Sequence, residues 1–106
     1  MSRCAQQTRL LATTGRADAL LAKFIEAADI QRTNPACELM LAGRSTSERD
    51  VVYLIEVWSS ESEWENARTS DAITAWSRGM PDLVSEAPRS TRLDQVGGKG
   101  LSTDQA

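Results

Sequence analysis

Histidine is absent from this 106-residue chain, and cysteine occurs only twice, at Cys4 and Cys37. The absence of histidine removes the usual metal ligand and the usual general base of neutral pH. Two cysteines so far apart in sequence form neither a metal-ligand cluster nor a disulfide framework. We therefore expect reduced thiols, no bound metal and a cytoplasmic location.

Excess positive charge and long apolar runs are also missing. The net charge is −3 and the isoelectric point is about 4.9, so the basic footprint that nucleic acid or an anionic membrane requires is lacking. No apolar run approaches the roughly 18 residues of a membrane span, and the first residues lack the apolar centre of a signal peptide. The expected partners are a small molecule and a second copy of the chain.

In the first part of the chain, the spacing of the apolar residues changes once, from that of a strand to that of a helix. Residues 3–13 have β character. From Arg16 onward the apolar residues recur at helical spacing, and the segment TNP at 33–35 ends the helix because the residue before a proline avoids the helical region. The predicted buried stripe is Ala17, Leu20, Leu21, Phe24, Ile25 and Ala28.

A hairpin follows the first helix. The segments 37–43 and 51–58 predict two strands joined by the polar turn RSTSERD. In the second strand, VVYLIEVW, apolar residues occupy both faces and Glu56 is the only charge. Both faces of this strand therefore require burial.

The last third predicts a broken helix and a final strand. Ser60 and Glu63 form a capping box, and Ser70 marks a second helix start. A short helical turn over 80–88 precedes a strand over 90–98. Residues 1–101 are predicted to form a single domain, and residues 102–106 have the composition of a flexible tail.

The resulting order β-α-β-β-α-β predicts a ferredoxin-like α+β fold with an antiparallel four-stranded sheet. Its helices cover one face of the sheet only. Since the second hairpin strand is apolar on both faces, we expect a homodimer in which two sheets pack face to face as a dimeric α+β barrel.

Several segments resemble the antibiotic biosynthesis monooxygenase family of dimeric α+β barrel proteins. The resemblance covers roughly residues 5–101 and rests on TTGRADALLAKF, EVWSSESEW, APRSTRLDQ and VGGKGL. It implies oxidation of phenols, anthrones or quinols by molecular oxygen without a cofactor, or, in other members, haem degradation. These segments are specific for the fold and say little about the chemistry.

Differences from the sequence patterns of the family indicate which group of its members this chain resembles most. The helix position that holds a histidine in many quinol-oxidising relatives is Ala67, and the haem-degrading pattern aligns with Thr8, Ala67 and Ser77. Haem degradation is therefore not expected. The anthrone-oxidising pattern aligns better, on Trp58 and Arg78, although Trp64 replaces a phenol and Leu54 replaces an asparagine.

The resemblance and the residue chemistry together imply a candidate site. Trp58, Arg78 and Glu56 are predicted to be catalytic, with Arg78 holding an enolate oxygen and Glu56 acting as a base of raised pKa. Trp64, Trp76 and Leu54 are predicted to bind a flat substrate. In the alternative interpretation these residues have a structural role only: the tryptophans are core residues, and Glu56 forms an ion pair at a dimer interface.

Three functions remain open at this point. The first is a cofactor-independent monooxygenase that oxidises an aromatic polyketide, anthrone or quinol with molecular oxygen. The second is an aromatic polyketide cyclase or isomerase of the same fold. The third is a non-catalytic, small-molecule-binding dimeric accessory protein.

Overall fold

A computed structural model describes residues 3–94 and 98–100. Four antiparallel strands form one sheet in the order β2-β3-β1-β4, so β3 and β1 are the central strands. This arrangement confirms the predicted ferredoxin-like α+β fold. The elements in chain order are β1 (Cys4–Leu11), α1 (Ala17–Gln31), β2 (Cys37–Arg44), β3 (Val51–Trp58), α2 (Glu61–Arg68), α3 (Asp71–Ser77) and β4 (Arg89–Asp94).

Two predicted segments extend past the described residues. The last strand is observed as Arg89–Asp94, and residues 95–97 of the predicted strand lie outside the described part of the chain, as does the predicted tail 102–106. The segment over 80–88 forms a turn in which Val84 bridges to Ala12. Within the described residues, no helix is both long and apolar enough to cross a membrane.

The core lies between one face of the sheet and the helices. Leu10 of β1 and Val52 and Leu54 of β3 form a buried cluster with Leu20 and Phe24 of α1. A smaller cluster joins the other end of the sheet to α2 through Cys4, Trp58 and Ala67. Because side chains alternate along a strand, Leu54, Glu56 and Trp58 all point to this helix-covered face.

The buried stripe of α1 is rotated relative to the prediction. The buried residues are Ala17, Leu20, Phe24, Ala27 and Gln31, whereas Ile25 is 56% exposed. The observed positions repeat at alternating steps of three and four residues along a 15-residue helix. The narrower stripe contacts the sheet, and the prediction that Ile25 belongs to it is wrong.

The predicted break in the second helical region is confirmed. Ser60 Oγ accepts a hydrogen bond from the Glu63 backbone N–H at 3.2 Å and begins α2. Ser70 Oγ accepts from the Ile73 N–H at 3.3 Å and begins α3. Each serine satisfies an N–H that the first turn of a helix leaves without a partner. A separate helix therefore begins after each of the two serines.

The other face of the sheet, which we call the open face, carries large apolar side chains. Leu39 and Leu41 of β2 are 38% and 52% exposed, Ile55 of β3 is 37% exposed and Leu93 of β4 is 51% exposed. Paired positions bring them together, since Leu41 pairs with Ile55, and Leu39 and Leu93 lie in one row across the sheet. No helix among the described residues packs on these side chains.

Candidate active site

A cavity of about 330 Å³ lies between the helix-covered face of the sheet and the three helices. Five of the six residues predicted for the site line it: Leu54, Glu56, Trp58, Trp64 and Trp76. Strand alternation on β3 brings the first three to the cavity, and α2 and α3 bring the two remaining indoles over it. A volume of this size accommodates a small aromatic ligand.

The three indoles differ in how firmly the fold holds them. Trp58 is 2% exposed, and its Nε1 donates to Glu56 Oε1 at 3.1 Å. Trp76 is tied to α1, because its Nε1 donates to the Lys23 carbonyl at 2.6 Å and the Lys23 ammonium donates to the Trp76 carbonyl at 2.7 Å. The Phe24 ring lies 5.8 Å from the Trp76 ring at 45°. These contacts fix the walls of the cavity before any ligand enters.

Two guanidinium groups lie near the Trp64 ring. Arg92 of β4 is 4.6 Å from the ring centroid, and Arg68 of α2 is 5.4 Å from it. Cations placed over an indole face are attracted by the negative charge of its π system. The indole of Trp64 is therefore held at the edge of the cavity by electrostatic contacts as well as by packing.

Among the residues that the structure describes, Glu56 is the only carboxyl group that lines the cavity, and it is 7% exposed. Burial raises the pKa of this carboxyl above its ordinary value of 4.5, and the hydrogen bond from Trp58 lowers it by a smaller amount. Loss of hydration disfavours the ionised form. A carboxyl group with a raised pKa inside an apolar cavity is suited to accept and return a proton.

A polar strip on the sheet borders Glu56 and was not predicted. Gln6 of β1 is directly paired with Glu56, and Thr8, two residues later on β1, points to the same face. The Thr8 and Ser90 hydroxyls are 3.1 Å apart, with either able to donate. The alternation of β1 was the signal that could have placed Gln6 and Thr8 beside the predicted residues.

Arg78 does not line this cavity. It is exposed and follows α3 as its C-terminal cap residue, whereas Arg68 at the end of α2 does line the cavity. The expected placement of Arg78 is wrong. Because α2 ends before Ser70 and α3 begins after it, the count of residues from Trp58 does not determine where a side chain points. Arg68, the cation that does line the cavity, belongs to the helix before the break.

The described residues contain no cluster of three or more histidine, cysteine, aspartate or glutamate side chains arranged to hold a metal ion. The two cysteines lie beside Trp58, since both are paired with it across the sheet. Burial raises the pKa of the Cys37 thiol to about 11 and also raises that of Cys4. Both thiols therefore remain protonated and unreactive at neutral pH. The expectation of no metal and no cofactor stays a prediction.

The family model described as antibiotic biosynthesis monooxygenase matches residues 4–79. The chain belongs to this family. The match includes all three helices, three of the four strands and every predicted site residue. A search of curated proteins finds no significant match.

Solved structures share the fold at low sequence identity. A candidate antibiotic biosynthesis monooxygenase from Chloroflexus aurantiacus is 22% identical, covering 95% of this chain and 100% of that one, with a TM-score of 0.84. One from Caulobacter crescentus is also 22% identical, covering 91% and 92%, with a TM-score of 0.84. The protein Rv0793 from Mycobacterium tuberculosis is 17% identical, covering 93% and 100%, with a TM-score of 0.82. At these identities the likeness shows the fold alone.

The buried carboxyl gives a pH-dependent stability that can be measured. The raised pKa of Glu56 means that the folded protein holds this proton more tightly than the unfolded chain does. Its contribution to stability is therefore complete below about pH 4.5 and is lost as the pH rises through the folded-state pKa. Glu56→Gln removes this loss. We expect the stability of Glu56→Gln relative to wild type to increase with pH across that interval, as measured by urea unfolding.

Trp58→Phe provides the matched comparison for this experiment. It keeps an aromatic ring but removes the indole N–H that favours the ionised carboxyl. The upper end of the pH interval over which wild type and Glu56→Gln diverge should therefore rise when the same pair is compared in a Trp58→Phe background, while the lower end stays near the unfolded-state pKa. A stability difference that does not vary between pH 4 and 8 would show that Glu56 is not held in a desolvated site.

Proposed function

We propose that this protein is a cofactor-independent monooxygenase that oxidises a planar hydroxylated aromatic compound with molecular oxygen. The observation that carries the proposal is the position of Glu56, a single buried carboxyl in an apolar cavity with three indoles. Family membership supports the general class of reaction. Anthrones, naphthoquinols and related aromatic polyketides are the substrates that fit this chemistry.

The cavity supplies the groups that such a reaction requires. The indoles of Trp58, Trp64 and Trp76 orient a flat ring system. The polar strip of Gln6, Thr8 and Ser90 offers hydrogen-bond partners for hydroxyl or carbonyl groups on one edge of the ring. Preorganised polar groups of this kind stabilise charge that develops on a substrate oxygen.

Glu56 acts as the base in this mechanism. Its ionised carboxylate removes a proton from the acidic ring methylene or hydroxyl, and the resulting electron-rich anion transfers an electron to oxygen. Recombination forms a carbon–oxygen bond, and the O–O bond then breaks with return of the proton. For an anthrone methylene, two hydrogens leave the carbon, one oxygen atom becomes the carbonyl oxygen, and the other leaves as water.

Oxygen consumption tests this proposal. With 1,8-dihydroxyanthrone and a panel of naphthoquinols, wild-type protein should accelerate oxygen uptake above the spontaneous rate. Glu56→Gln should reduce kcat about 10²- to 10⁴-fold, the usual contribution of a general base. Arg78→Gln is the matched control, because Arg78 is exposed and outside the cavity, and its kcat should stay within about twofold of wild type.

Loss of substrate, followed by absorbance in air and under nitrogen, separates the alternatives. Equal turnover with and without oxygen would contradict oxygenation and indicate a cyclase or isomerase. Tryptophan quenching by the ligand with no turnover under either condition would indicate a non-catalytic binding protein. Retention of full oxygen uptake in Glu56→Gln would contradict the role of Glu56 as the base.

We also propose that a second copy of the chain covers the open face, as two sheets packed against each other. The exposed apolar side chains of Leu41, Ile55 and Leu93 lie on that face of one four-stranded sheet. An identical face supplies a complementary apolar surface through a twofold axis, and its burial removes a patch that soluble monomers rarely expose.

Ile55→Asp should convert the dimer to a monomer or an aggregate, because it places a charge at the centre of this interface. Light scattering of wild type should give twice the 11.6 kDa chain mass. Ile25→Asp is the matched control, since Ile25 is 56% exposed on α1, away from the sheet, and it should leave the dimer intact. A wild-type mass of a single chain at micromolar concentration would contradict the proposed dimer.

A further inference from the structure

Within the described part of the chain, two charged residues line the cavity, and they differ in exposure to solvent. Glu56 is 7% exposed on the sheet, whereas the Arg68 side chain is 55% exposed at the end of α2. Their charges have opposite signs. This arrangement therefore favours one orientation of an elongated ligand that bears one anionic group, because the anion is repelled near Glu56 and attracted near Arg68.

Arg68 is oriented at the rim by contacts that leave it available to a ligand. Its guanidinium lies 5.4 Å from the Trp64 ring centroid, and Nη2 donates to Glu65 Oε2 at 2.9 Å and Oε1 at 3.2 Å. The position at the C-terminal end of a helix also favours a cation. Since Trp64 lines the cavity, a ring that stacks on this indole brings its outer substituent close to Arg68.

The ion pair between Arg68 and Glu65 is weak enough to be exchanged. Both side chains are about half exposed, at 55% and 46%, and they are only three residues apart on one helix. Exposed pairs of this kind contribute little to stability. A ligand carboxylate can replace Glu65 and form a planar two-point contact with the guanidinium, which lysine does not reproduce.

Arg92, the other cation over Trp64, has a different hydrogen-bond partner. Its Nη1 donates to Glu61 Oε1 at 2.6 Å, and Arg92 does not line the cavity. Arg92 therefore contacts the indole from β4 while it is paired with Glu61 of α2. Among the described residues, Arg68 is the one cation with direct access to a ligand in the cavity.

We propose that Arg68 is a specificity-determining residue that recognises a carboxylate on the aromatic ligand and fixes which end of the ligand enters the cavity. This inference rests on the proposed function, and it narrows the substrate class to planar aromatic acids. In the bound ligand the carboxylate lies at the rim beside Arg68. The ring system lies among the indoles, and the reactive carbon faces Glu56.

Binding of two matched probes tests this inference. At pH 8, 2-naphthoate carries a carboxylate, and 2-naphthamide has nearly the same shape without the charge. Calorimetry should show that wild type binds 2-naphthoate about tenfold more tightly than 2-naphthamide, as expected for one charged hydrogen-bonded contact. Arg68→Gln should lose this preference and keep its affinity for 2-naphthamide. Arg68→Lys should retain only part of it.

Arg78→Gln is the control for a general effect of surface charge. It removes an exposed arginine outside the cavity and should preserve the tenfold preference. Equal binding of both probes by wild type, an unchanged preference in Arg68→Gln, or an equal loss in Arg78→Gln would overturn the role of Arg68.

Failure of this inference and failure of the proposed function give different results. Binding of 2-naphthamide that is equal in all four proteins, with no preference for the acid, would contradict only the role of Arg68. An acid preference that depends on Arg68 but is accompanied by no oxygen uptake with any aromatic acid would contradict only the oxygenation. Absence of binding by either probe would overturn both.

Discussion

Alternation along β3 is the constraint from which the site and the open face both follow. Its even-numbered residues, including Leu54, Glu56 and Trp58, face the helices, and its odd-numbered residues, including Ile55, face the opposite side. As a central strand, β3 is bonded to β2 and β1 along its length, and a shift of one residue would reverse both faces. The strand therefore places a carboxyl in an apolar cavity and an apolar surface on the open face at the same time.

The cost of burying Glu56 is a physical argument for function. A carboxyl with one described hydrogen bond, in a cavity lined with indoles, is less favourable for stability than an apolar residue of similar size. Buried carboxyl groups with raised pKa values are concentrated at functional sites, where a group has to accept and return a proton. The fixed positions of Trp58 and Trp76 make the cavity a preformed one, so that a flat ligand can bind without large rearrangement of the walls.

The fold was predictable because each element has a local signal. The short apolar run of β3, the capping serines Ser60 and Ser70, and the stop at TNP set the order of elements and the break between α2 and α3. The cavity positions of Trp58 and Glu56 also followed from strand parity. Arg78 was misplaced because no local pattern gives the rotation of α3 after the break. Arg68 and Gln6 were missed because their access to the cavity depends on how separate elements pack together.

A direct titration of the Glu56 carboxyl tests the central claim, which is that a proton-accepting group lies in a desolvated aromatic cavity. Carbon-13 NMR of glutamate-labelled protein, with the signal assigned by its loss in Glu56→Gln, gives the pKa of this one group. We predict a pKa above the ordinary value of 4.5, and a further increase when 2-naphthamide fills the cavity and displaces water. A pKa at or below the ordinary value, unchanged by the ligand, would contradict the account.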